Sequence, residues 1–116
     1  MTGTLLQLLA RARREGMSID LDHDGTLRIQ GPQSGGPLAR ALLARKPEVL
    51  TVTDIWNGRA EMLDWRHARV LEESRACGTC GSRTLLLDPW DDQPTHKTCA
   101  EALIRPTATA TAGQAA

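Results

Sequence analysis

The sequence predicts an α+β fold: a small helix–hairpin–helix–helix module, a connecting helix, and a second small module held by metal. Three observations predict it. Apolar residues recur at helical spacing over residues 4–15, then alternate with polar ones on both sides of Asp24-Gly25. Further on, all three cysteines and one of the three histidines fall into two pairs, Cys77/Cys80 and His96/Cys99, each with two residues between its members.

Leu5, Leu8, Leu9 and Ala12 form one stripe of the first helix; Thr4 can cap its start, and Gly16 stands where a left-handed C-terminal cap is expected. Leu6 lies off that stripe. Met17, Ile19 and Leu21 then alternate with Ser18, Asp20 and Asp22, and Leu27 and Ile29 with Thr26, Arg28 and Gln30, which reads as a β-hairpin. A lone ribbon is marginal in water, so one face has to pack on helices. The Gly31–Gly36 stretch is a loop by composition. Pro37 can open a second helix carrying Leu38, Ala41 and Leu42, and Lys46-Pro47 ends it and starts a short third. Residues 53–76 read as a connecting helix capped by Asp54, with Trp56, Ala60, Leu63, Val70 and Leu71 among its apolar positions; Gly58 weakens its first turn, so a start nearer Arg59 is also open. A last helix is expected from a Thr95 cap through Ile104. Residues 105–116, low in complexity and with nothing large to bury, are expected to be a disordered tail.

Composition narrows the function. The 116 residues carry 14 basic and 14 acidic side chains, which argues against a general electrostatic grip on nucleic acid or an anionic membrane. Residues 53–116 hold seven basic and nine acidic groups, so nucleic acid is not the favoured partner, although Arg66, Arg69 and Arg75 could line up as a local stripe. Three tryptophans are the only aromatics, so stacking platforms are scarce. No stretch is long and apolar enough for a membrane span, the amino terminus lacks a basic segment ahead of its leucines, and three cysteines cannot close a disulfide framework; a cytoplasmic location is expected.

The strongest chemical signal is C-x2-C-x15-H-x2-C. Three thiolates and an imidazole suit tetrahedral zinc, Gly78 and Gly81 relieve the turns of the first pair, and the second pair sits at i and i+3 on an early helical turn. Cys77, Cys80, His96 and Cys99 are therefore the expected ligands, in residues 77–104, of a site resembling a treble-clef finger. Four protein ligands leave no open position, so the zinc is expected to be structural. A redox Cys-x-x-Cys reading lacks a thioredoxin-sized domain. His23 and His67 are expected to be solvated. Asp20, Asp22 and Asp24 with Gly25 match half a calcium loop, but position twelve is Gly31 instead of a bidentate Glu. Asp22-x-Asp24-Gly-Thr-Leu matches a phosphatase motif without the domain that motif needs. No nucleophile elbow, phosphate loop or zinc-protease motif occurs, and no enzyme activity is expected.

Residues 4–52, from Thr4-Leu-Leu-Gln-Leu-Leu through Ala44-Arg-Lys-Pro-Glu-Val-Leu50, resemble the TubC-type N-terminal docking domain of peptide and polyketide assembly lines. The likeness rests on the leucine-rich helix ending at Gly16, the Asp24-Gly25 hairpin with Leu27-Arg-Ile29, and the Pro37 helix. It covers a little under half the chain, and no catalytic assembly-line domain follows. Similar modules also look to be attached to zinc-bearing and replication-associated proteins of bacterial mobile elements. The resemblance implies a non-catalytic docking module in residues 1–52, often a homodimer, whose hairpin takes up an extended carboxy-terminal segment of a partner protein by strand addition. On this sequence the edge falls at Asp24, Thr26, Arg28 and Gln30, with Arg28 available to an acidic partner. The alternative expectation is a nucleic-acid-associated zinc-finger protein of a plasmid, phage or replication system.

Overall fold

A computed structural model describes residues 3–66 and 68–106. The expectations for His67 and for most of the tail, residues 107–116, lie outside the described residues. Helix α1 (Leu5–Arg14) opens in a reciprocal cap, Thr4 Oγ1 accepting from the Gln7 amide and Gln7 Oε1 from the Thr4 amide. Strands β1 (Ser18–Leu21) and β2 (Leu27–Gln30) pair antiparallel, with Ile19 opposite Ile29 and Asp20 opposite Arg28. The turn between them is organised by carboxylates: Asp22 accepts the Asp24 and Thr26 amides, Asp24 also accepts that of Thr26, and Gly25 supplies φ +87°. A 3-10 turn at Gln33–Gly35 leads into α2 (Gly36–Leu43), and α3 (Lys46–Leu50) follows with Pro47 in its first turn.

The connecting helix over 53–76 does not form. Helix α4 spans only Thr53–Trp56, residues 57–66 and 68–69 run irregularly, and β3 occupies Val70–Ala76. Gly58 stops the helix: at φ +74° it lets the Arg59 amide turn back to the Asp54 carbonyl at 2.8 Å, a left-handed C-terminal cap. Beyond it Leu63 and Trp65 are buried while Asp64 between them is exposed, an extended alternation that a helix cannot present. The Leu63 amide is fixed by buried Glu101, 38 residues away, at 2.8 Å. Strand β4 (Arg83–Leu86) pairs antiparallel with β3, and α5 (Lys97–Ile104) ends the described chain.

Among the described residues, one apolar core joins the two sequence regions. The α1 stripe Leu5, Leu8, Leu9 and Ala12 is buried in one cluster with Ile19 and Leu27 of the hairpin, Leu38 and Leu42 of α2, Ile55 and Trp56 of α4, and Ala100 and Ile104 of α5. Off-stripe Leu6 is buried as well. Polar contacts reinforce this union of the two sequence regions. The Arg13 guanidinium lies 3.6 Å over the Trp56 ring and donates to the carbonyls of Trp56 and Ile104. At the opposite end of α1, the Asp91 carboxylate accepts the Leu5 amide at 2.7 Å and pairs with Arg45 at 2.9 Å. No described helix is long and apolar enough to cross a membrane.

Candidate metal centre and hairpin edge

The candidate metal centre is built at the joint between a tight turn and a helix start. After β3, Cys77 through Ser82 fold back, the Cys77 amide bonding the Ser82 carbonyl at 2.8 Å and the Gly81 amide the Cys77 carbonyl at 2.9 Å, with Gly81 at φ +80°. After β4 the chain turns again around Asp88, whose buried carboxylate accepts the amides of Trp90, Asp91 and Gln93. That second turn returns Pro94 beside Leu87, and its carbonyl accepts the Gly78 amide at 3.0 Å. The segment carrying His96 is thereby bound to the segment carrying Cys77. Thr95 is not the helix cap: its hydroxyl donates to the Gln93 carbonyl, and His96 occupies the cap position, so Cys99 falls in the first turn of α5.

These folds bring Cys77, Cys80, His96 and Cys99 together, with their ligand atoms all within 4.8 Å of one another. His96 Nδ1 lies 3.3 Å from Cys80 Sγ and 3.7 Å from Cys99 Sγ. A tetrahedral ion with bonds of about 2.3 Å to sulfur and 2.0 Å to nitrogen requires an N···S separation of about 3.5 Å, so the cluster is at metal-binding spacing. The imidazole is also oriented for it. Nε2 lies 2.9 Å from the Arg83 carbonyl, which can only accept, so Nε2 carries the proton and Nδ1 presents its lone pair to the three sulfurs.

The thiols are prepared unequally. Burial alone would raise the Cys77 thiol, but the amides of Cys80, His96 and Thr79 together outweigh it and bring it down to about 6. Those of Thr79 and His96 stand 3.4 Å from its Sγ. Cys80, exposed, is lowered chiefly by the Ser82 amide. Cys99 is pushed up to about 11, first by burial and then by Cys80 and Cys77 beside it. Three sulfurs crowding one point favour a bound cation over three free thiols.

The expected edge residues Asp24, Thr26, Arg28 and Gln30 are all exposed, and Arg28 engages no other side chain among the described residues. Asp20, which faces Arg28 across the hairpin, is paired with Arg59 instead. The two strand edges are not equivalent. The outer side of β1 is closed: Asn57 Nδ2 donates to the Ile19 carbonyl at 2.7 Å, and the Asp20 carboxylate accepts the Leu21 amide at 2.8 Å. Because ladder bonds alternate along antiparallel strands, this leaves Ile19–Ile29 and Leu21–Leu27 as the non-bonded pairs. The main-chain groups of Leu27 and Ile29 therefore face the outer side of β2, where no further strand pairs. A cleft of about 330 Å³, lined by Ile29, Gln30, Pro32 and Ala39 among others, lies beside the end of that strand.

Asn57 and the Arg83 carbonyl were not foreseeable from motif spacing; each acts on a residue far away in sequence. Of the basic stripe, Arg66 is paired with Asp64 and Arg69 with Asp92. Compared with protein-family models, curated proteins and solved structures, the chain finds no match in any of the three. Similarity assigns it to no family.

Proposed function

We propose that this protein is a non-catalytic docking adaptor whose carboxy-terminal half is held by structural zinc and whose hairpin offers the outer edge of β2 to an extended segment of a protein partner. The observation that carries the docking part is the asymmetry of the hairpin: β1 is blocked by Asn57 and Asp20, whereas β2 keeps the outward main-chain groups of Leu27 and Ile29 free of a further strand, and an unengaged Arg28. An unpaired strand edge is a template for main-chain hydrogen bonds, and Arg28 adds preference for an acidic partner. The TubC-type likeness of residues 4–52 leads to the same reading. For the metal part, three sulfurs and one imidazole nitrogen fill a tetrahedron and leave no open position, so the ion's role is to hold shape. His96 and the three cysteines would supply all its bonds, and the Arg83 carbonyl would keep the imidazole turned toward it.

Proline substitution tests the edge, provided it is placed by register. Arg28 lies in a bonded pair with Asp20, so a proline there would break the hairpin itself; Ile29→Pro removes an outward N–H and spares the ladder. Chemical cross-linking in a native extract is expected to join a protein partner to the wild type, to lose it in Ile29→Pro, and to weaken in Arg28→Glu. Capture unchanged in both variants, with both folded by circular dichroism, would refute the edge. Salt-sensitive binding of mixed-sequence DNA would favour a nucleic-acid role instead.

A further inference from the structure

A second recognition site lies away from the hairpin and the metal cluster, in a cleft of about 470 Å³ where α3 meets the segments around Trp65 and Trp90. Two of the chain's three tryptophans meet here, with ring centroids 5.8 Å apart and planes at 78°, so that they form a corner. Trp65 is buried and makes the floor; Trp90 is only half-buried and makes a wall. Pro47 and Pro89 add apolar surface, and the carboxylates of Glu48 and Asp64 stand at the lining.

The half-buried indole is held in place. Its Nε1–H donates to Thr51 Oγ1 at 3.2 Å, and its backbone amide donates to Asp88 at 3.0 Å. A fixed, half-buried indole in a cleft lined also by Glu48 and Asp64 is preorganised for a cation. The kind of cation follows from the state of the carboxylates. Glu48 is gripped through both oxygens by Arg45, and Asp64 through both by Arg66. An ammonium bearing N–H groups would have to compete with guanidinium for those oxygens. A cation without N–H groups competes for no oxygen and is held mainly by contact with the ring.

We propose that this corner binds a trimethylammonium group, as carried by a trimethylated lysine side chain or by a choline-type molecule. The site is independent of the hairpin edge, so its fate does not decide the docking reading, nor the reverse.

The test uses the zinc-loaded full chain and the three indole N–H resonances, one for each tryptophan. Tetramethylammonium, choline and a trimethyl-lysine peptide are titrated in turn, with 3,3-dimethylbutanol as the neutral shape match of choline. The expected result is saturable movement of the Trp90 and Trp65 signals with Trp56 unmoved, no such saturation by the neutral match, and at least a tenfold loss of affinity in Trp90→Leu. Glu48→Gln is expected to weaken binding severalfold. Preference for the peptide over choline identifies a protein source, and equal affinity a free small molecule; both support the site. Unmoved indole signals, equal response to the neutral alcohol, or undiminished affinity in a folded Trp90→Leu would overturn it.

Discussion

Asp91→Ala probes whether the two sequence regions fold as one. The carboxylate caps the Leu5 amide at the start of α1 and pairs with Arg45, whose side chain and its own are about one-fifth exposed. A hydrogen bond to a charged acceptor at a helix start contributes about 1–2 kcal/mol. The ion pair, partly solvated and shared with Glu48, adds about 0.5–1 kcal/mol. Because the two terms share one carboxylate, the expected loss is about 2 kcal/mol, and about 1 kcal/mol in Asp91→Asn, which keeps an acceptor for the amide. Urea unfolding of the zinc-loaded protein, followed by tryptophan fluorescence and by far-ultraviolet circular dichroism, is the assay. The two probes are expected to coincide and the slope with urea to be unchanged, giving a clean shift in midpoint. A double-mutant cycle with Arg45→Ala should return a coupling of about 0.5–1 kcal/mol. A loss below about 0.3 kcal/mol with separate transitions for the two probes would show that the regions fold independently, and the shared core would then be wrong.

Other perturbations follow from the same contacts. Metal removal by a chelator, verified by elemental analysis, is expected to unravel the β3–β4 turn and α5, with lost ellipticity and a lower melting temperature; unchanged melts would contradict a structural ion. Cobalt taken up by the protein should show the intense visible absorption of a tetrahedral thiolate site, strongly reduced in Cys99→Ser. Glu101→Ala strips the buried Leu63 amide of its acceptor and Lys97 of its partner, so a loss of about 2–3 kcal/mol is expected in denaturant titration. Gly58→Ala forces a side chain onto φ +74° and should cost about 1 kcal/mol, measured in the same way.

Local periodicity made α1, the hairpin and α2 legible, because each buries a face whose spacing is written in consecutive residues. The metal cluster was legible for a related reason: thiol and imidazole types are rare here, and their pairing by two residues survives any path between the pairs. The path of residues 57–66 was not. Its charges and apolar residues fit a helix on paper, but Gly58 ends that helix and Glu101 claims the Leu63 amide from 38 residues away. Periodicity carries no trace of a partner so distant. The same holds for Asp91 with Leu5 and Arg13 with Ile104, the contacts that merge two expected modules around one core. Asn57 gave no warning either, since a single amide next to a glycine looks like any turn residue until the strand it blocks is in place.

Arg13 ties α1 to the carbonyl of Ile104, in the last described helix. On the ribosome, then, α1 emerges long before α5 is made, with Ile104 lying 91 residues on from Arg13. Its leucines stay exposed until α5 has cleared the exit tunnel, and the core around them closes only then.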